Sequence, residues 1–265
     1  MQAHESLQVQ TDARGVATLT MHRPERFNAF DEALIQALHQ AVQACVADPA
    51  VRVLVLAGAG KHFSAGADIG WMRRAAAAPE DVNRADAQAF AAMLAALAAC
   101  PKPTVARVQG LALGGGVGLA CACDIAIATE DAQFAVSEAR FGILPAVIGP
   151  YVIRAAGPRQ AQRLALMAHR IGAAEALRLG LVQQTVPAAE LDAAIEATLT
   201  ELLASGPQAQ AEIKALFAQL RPGDFGPEAQ ALTAATIARV RSTPEAREGF
   251  AAFTEKRPAT WSIQP

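Results

Sequence analysis

The chain has no surplus of charge of either sign. Twenty-three Lys and Arg stand against 25 Asp and Glu in 265 residues, a formal net charge of −2. That leaves no basic footprint for nucleic acid or an anionic membrane surface. Long apolar runs are also missing. Hydrophobic residues reach 52%, but alanine supplies much of this, and no uninterrupted stretch is long enough to span a bilayer. The opening residues Met1 to Glu5 lack a basic segment followed by an apolar one, which reads as no secretory signal and points to the cytoplasm. Four cysteines in a chain this long make no disulfide framework. Cys45 and Cys100 fall in helical patterns and are expected as buried thiols, while Cys121 and Cys123 have no second ligand pair for zinc. A reducing compartment fits this usage. No fixed-period repeat of the solenoid kind occurs.

What is present alternates between strand-like and helix-like segments. Residues 7–10 and 16–21 read as a hairpin around the turn signal Asp12-Ala13-Arg14-Gly15. Asp31 is placed to cap a helix carrying Leu34, Leu38, Val42 and Cys45 at helical spacing. Val51 to Ala57 reads as a buried strand. Pro79 opens a helix through Phe90, Met93, Leu94 and Leu97, which Pro101 and Pro103 stop. Strands at 104–108 and 124–128 flank a glycine turn and a short helix. From about residue 157 the pattern is helical: 158–168, 173–179 with Gly180 as its stop, 188–204, 207–219, 227–241 and 244–255. The expectation is an α/β core over residues 1–190 and a helical C-terminal region over 191–265.

The most informative stretch runs from Leu111 to Ala120, a glycine cluster leading from a strand into an apolar helix. Glycines let the backbone turn tightly and approach a ligand without a Cβ in the way. Amides at the start of the following helix are partly positive and unpaired. They suit a carbonyl oxygen that becomes an oxyanion. A second such place lies at Phe63 to Asp68, and two amides aimed at one oxygen would form an oxyanion hole. The same glycines would also serve a plain strand-to-helix turn. A dinucleotide fingerprint is excluded by Leu119, and a P-loop by Val55 and His62. His62-Phe63-Ser64-Ala65-Gly66 misses the first glycine of a nucleophile elbow, which discounts Ser64 as a hydrolase nucleophile.

Six segments in order resemble the crotonase superfamily, the enoyl-CoA hydratase and isomerase family. They are Arg23 to Ala29, Phe63 to Asp68, Gln109 to Gly118, Ser137-Glu138 with Phe141 to Pro145, Ala176 to Val182, and Glu248 to Arg257. The resemblance implies a spiral of ββα turns, a helical C-terminal region that trimerises, and an acyl-CoA thioester substrate. It implies no metal and no redox cofactor, coenzyme A being part of the substrate. The oxyanion donors would be the amides of Ala67 and Gly115, with Glu138 as acid/base. Arg26, Phe27, Ala29, Ala65, Asp68 and Ile69 would line the CoA channel, with Gly114 beside them. Arg26 is a candidate for a CoA phosphate or a solvated surface arginine. Phe253 and Lys256 match a C-terminal segment that reaches CoA from the same or a neighbouring subunit. The assembly would be a homotrimer or a dimer of trimers.

One position departs from the family pattern. A typical hydratase has two glutamates, one acting on each side of the double bond, and the first falls here at Gly118. No acidic residue lies between Gly110 and Cys123 to replace it. A single glutamate suits a double-bond isomerase. The runs Ala67 to Arg74 and Leu144 to Tyr151 are similar to the bacterial branch of 3-methylglutaconyl-CoA hydratases. There a substrate carboxylate would be repelled by a second glutamate. Gly118 would then open space for a dicarboxylic acyl group, and Arg73, Arg74, Arg140 or Arg154 would meet the distal carboxylate. Tyr151 is a further candidate for the pocket. Decarboxylation of a glutaconyl thioester is a third reaction that the oxyanion hole would serve. An RNA-binding member would carry a lysine-rich helix before the glycine turn, whereas 79–100 holds Arg84 as its only basic residue.

Overall fold

The computed structural model describes residues 5–262; Met1 to His4 of the N-terminal reading lie outside the described residues. The hairpin forms from β1 (Leu7–Thr11) and β2 (Val16–Met21), paired antiparallel. Asp12 Oδ1 accepts from the amides of Arg14 and Val16, and Gly15 turns the chain at φ +84°. α1 (Glu32–Ala47) starts where Asp31 accepts from Leu34 N at 3.1 Å. β3 (Val53–Gly58) is buried along its whole length. It begins later than the sequence pattern suggests, because Val51 and Arg52 turn in from Asp48 and Gly15.

Next come α2 (Ile69–Ala77), α3 (Glu80–Ala98) and β4 (Thr104–Val108). β5 (Leu111–Leu113), α4 (Gly115–Ala122), β6 (Ile125–Thr129) and β7 (Gln133–Ala135) follow. α5 (Gly149–Met167) is broken at Gly157, where φ is +73°, just before Pro158. Pro150 stands in its first turn, next to Tyr151, where the sequence places a helix start. β8 (Ile171–Gly172), α6 (Ala173–Leu179) and β9 (Gln184–Val186) complete the sheets. Gly180 ends α6 at φ +83°, as its position predicts.

Two sheets result, one ordered β1-β2-β3-β4-β6-β9 and one β5-β7-β8. From β4 to β7 the strands alternate between them: β4 lies in the large sheet, β5 in the small one, α4 returns the chain to β6 in the large sheet, and β7 lies in the small one. The ββα repeat expected from the resemblance is therefore present. α1, α3 and α4 contribute to the larger core on one side of the sheet. On the other side, α7 (Leu191–Ala204) packs Leu191, Ile195, Leu199 and Leu203 on Val16, Val53, Val55, Val105 and Ile127. Each of those four side chains contributes about 2 kcal/mol by leaving water. The helical region thus begins as the sheet's second cover.

α8 (Pro207–Phe217), α9 (Pro227–Arg241) and α10 (Pro244–Glu255) follow, each opened by its proline. All four cysteines are free and buried. Burial pushes the Cys121 thiol up to about 12. Among the described residues, no helix is long and apolar enough to cross a membrane.

Candidate active site

The loop before α1 is fixed from within. Asn28 is fully buried, and its amide donates to Ala59 O at 2.8 Å and His62 O at 2.7 Å. Its Oδ1 accepts from Arg23 N. These bonds hold Phe27 and Asn28 in left-handed backbone at φ +54° and +53°, which is strained for phenylalanine. Phe27 is left half exposed against the edge of His62, with ring centroids 4.9 Å apart.

The same loop organises the first candidate donor. Phe30 N donates to Gly66 O at 2.8 Å, and Asp68 N donates to Phe30 O at 2.9 Å. Ala67 lies between these two bonds, and among the described residues its own amide has no acceptor. The second donor arises from the glycine turn. Gly114 N donates to Ala135 O, and Val117 N and Gly118 N fold back on Gly114 O. The Gly115 amide, at the first turn of α4, likewise has no acceptor among the described residues.

Absent Cβ atoms bring these pieces together. One built on Gly66 would stand 2.6 Å from Leu113 O and 3.4 Å from Gly115 N. One on Gly115 would stand 2.1 Å from Phe30 Cζ, and one on Gly116 2.4 Å from Ser64 O. The cluster is therefore glycine for close approach as well as for turning.

Glu138 begins a single 3-10 turn after β7. Its Oε2 is buried with no hydrogen-bond partner. Burial pushes the carboxyl above the ordinary glutamate range, against the pull of the Glu138 and Ser137 backbone amides. A carboxyl raised in this way is better suited than an ordinary glutamate to both take and give a proton.

Two compartments, of about 890 Å³ and 610 Å³, meet at Ala67, Gly115 and Glu138. Arg26, Phe27, Ala29, Ala65, Asp68, Ile69 and Gly114 all line the outer one. Asp68 does two jobs there. Its Oδ1 caps α2 by accepting from Gly70 N and Trp71 N, and its Oδ2 accepts from Arg23 at 3.1 Å and Arg26 at 2.9 Å. Burial raises the Asp68 carboxyl, but bonds from Arg26, Trp71 and Gly70 outweigh this and hold it low.

The remaining candidate residues lie away from this junction, and for Phe253 and Lys256 this leaves the expected reach into a neighbouring subunit open. Gly118 lines neither compartment, because Ile148 fills the space above it; a Cβ there would stand 2.3 Å from Ile148 Cγ2. Tyr151 packs against the core and lines neither compartment. Phe253 is 86% exposed, and Lys256 closes α10 in left-handed backbone; neither lines this chain's compartments. Of the four arginines, Arg74 pairs with Glu32, Arg140 donates to Ala168 O, and Arg154 donates to Cys121 O and Ala122 O. Arg73 alone lines a compartment, the outer one.

The sequence pattern missed α2, whose Met72 and Ala76 line both compartments. Asp68 as a cap was the available signal. Of the inner wall, Trp71, Phe90, Leu144 and Val147 fall in segments the sequence had singled out, whereas Asn83 carried no signal of its own. Among the described residues, no three His, Cys, Asp or Glu side chains are grouped to hold a metal ion.

Comparison with known proteins agrees with this geometry. The sequence profile described as enoyl-CoA hydratase/isomerase matches residues 11–264. A crotonyl-CoA hydratase of Syntrophomonas wolfei is 33% identical over 265 residues, covering 98% of this chain and 98% of that protein. A crystal structure of an enoyl-CoA hydratase from Shewanella pealeana superposes with a TM-score of 0.93 at 40% identity, covering 97% of this chain and 96% of that one. An enoyl-CoA hydratase structure from Mycobacterium smegmatis gives 0.92 at 36% identity, covering 98% and 100%.

Proposed function

Because this chain belongs to the enoyl-CoA hydratase/isomerase family, we propose that it uses a single carboxyl group, that of Glu138, to add water to the double bond of a 2-enoyl-CoA thioester. The observation that carries this is the unpartnered Glu138 oxygen beside two unpaired amides, at the junction of two compartments. Glu138 as carboxylate takes a proton from water while the water oxygen bonds to C3. The double-bond electrons move onto the thioester carbonyl, and its oxygen becomes an enolate held by Ala67 N and Gly115 N. The protonated Glu138 then returns that proton to C2, and the enolate collapses to the 3-hydroxyacyl thioester. Water adds across C2 and C3 with no net change at the enzyme. Coenzyme A enters as part of the substrate, and the reaction calls for no metal or redox group.

A second reading follows from the same single carboxyl. Glu138 would move one proton between C2 and C4 of a 3-enoyl thioester, isomerising it. A 3-methylglutaconyl substrate draws support from the missing second carboxylate, but it asks for a cation at its distal end. Among the described residues, no arginine or lysine lines the inner compartment. We therefore rank this substrate, and decarboxylation of a glutaconyl thioester, behind an uncharged enoyl group.

Product analysis decides among them, using purified protein with crotonyl-CoA, a 3-enoyl-CoA and 3-methylglutaconyl-CoA. Hydration of crotonyl-CoA to the 3-hydroxy ester is expected. Conversion of the 3-enoyl ester without hydration would move the assignment to isomerase. Faster turnover of the methylglutaconyl ester would restore the dicarboxylic reading.

We also propose self-association through the C-terminal helices, as a trimer or a pair of trimers. Ile213, Phe217, Ile237 and Phe250 leave apolar surface exposed there. Light scattering at micromolar concentration should give at least a trimer mass, and a monodisperse monomer would contradict this.

A further inference from the structure

Gly118 and Ile148 share one space. Gly118 is buried in α4, and a Cβ built on it would stand 2.3 Å from Ile148 Cγ2, 2.9 Å from Ile148 Cβ and 3.7 Å from Leu94 Cδ1. Any side chain at 118 would therefore displace Ile148. Ile148 is held firmly: its carbonyl accepts from Tyr151 N at 3.0 Å and Val152 N at 3.1 Å, at the start of α5. Its branched side chain has few rotamers to retreat into. Ile148 lines the inner compartment, and Gly118 lies behind it. The neighbouring wall is mostly hydrocarbon, with Phe90, Leu144 and Val147. The amide nitrogen of Asn83 donates to Ala75 O and Ala78 O.

We propose that Ile148 is the specificity-determining residue of the acyl compartment. It is a hydrocarbon plug standing where a side chain at 118 would project, and it restricts the compartment to an uncharged acyl group of limited bulk. This rests on the enoyl-thioester reading. The glycine is a partner of the plug and not a berth for a substrate carboxylate. A carboxylate pressed against Ile148 and Leu94 would lose its water with no donor to replace it.

Two readouts test this, one of them independent of turnover. Values of kcat/KM are compared from crotonyl-CoA to longer and branched 2-enoyl-CoA esters. Ile148→Ala should raise the ratio for long over short esters by about tenfold or more. Ile148→Val should shift the ratio the same way by less. Melting temperatures of Gly118→Ala, Ile148→Ala and the double variant form the second readout. Gly118→Ala should lower Tm by roughly 2–6 °C in the wild-type background, and by less once Ile148 is trimmed. Turnover by wild type with an unchanged ester profile in both Ile148 variants would overturn the specificity inference alone. Additive melting shifts would overturn the shared space. Wild type that turns over no ester would overturn the enoyl-thioester reading and the specificity inference with it.

Discussion

Glu138 lies against Gly114: a Cβ on that glycine would stand 3.3 Å from Glu138 Oε1. Gly114 also holds a backbone at φ +50°, which side chains rarely adopt. The turn that frees the Gly115 amide therefore also makes room for the Glu138 carboxyl. A single turn thus couples the proposed oxyanion donor to the proposed proton carrier.

The raised Glu138 carboxyl makes stability depend on pH in a stated direction. A group whose pKa rises on folding binds its proton more tightly in the folded chain. It favours folding below the unfolded value, and that contribution is lost as pH rises through the folded value. Glu138→Gln should therefore melt a few degrees above wild type near pH 8, with the gap closing toward acid pH. In turnover, kcat/KM of wild type should fall on the acid side with a midpoint above the ordinary glutamate range. Thermal melts across pH for both proteins check the first point. An equal gap at every pH would contradict it.

Gly115→Ala should damage stability and chemistry together. Its Cβ would stand 2.1 Å from Phe30 Cζ, so the turn or the ring must shift. Overpacking of this kind costs about 1–3 kcal/mol, and displacing an oxyanion donor costs about 10²-fold in kcat. Adding Phe30→Leu should recover stability more than turnover. Urea unfolding and steady-state kinetics read the two losses separately, and a fully active, stable Gly115→Ala would contradict the donor assignment.

Asp68→Ala should loosen α2. It removes the cap on Gly70 N and Trp71 N together with the acceptor of Arg23 and Arg26. The cost should be roughly 2 kcal/mol or more in urea unfolding. KM for an acyl-CoA should rise several-fold, because Met72 and Ala76 of α2 line both compartments. Unchanged KM with lowered stability would confine Asp68 to a structural role.

Local chemistry was legible in the sequence, and long-range packing was not. The Asp31 cap, the Gly180 stop and the prolines opening α8, α9 and α10 each act within a turn of chain, so residue type alone locates them. α2 buries none of its residues, so no apolar period announces it. β5, β7, β8 and β9 are too short for a two-residue period to register. In the site, the glycine turn carried its own signal, while Glu138 and Ala67 were found through ordered motifs. The filling of the space over Gly118 depends on Ile148 arriving from a different helix, and no pattern around either residue encodes that contact.

The most direct test of the central claim is the turnover of Glu138→Gln on crotonyl-CoA, measured beside its affinity for a saturated acyl-CoA. The account predicts kcat lower by roughly 10²-fold or more, with affinity for the saturated ester within a few-fold of wild type. Folded Glu138→Gln that hydrates crotonyl-CoA at a near wild-type rate would contradict it.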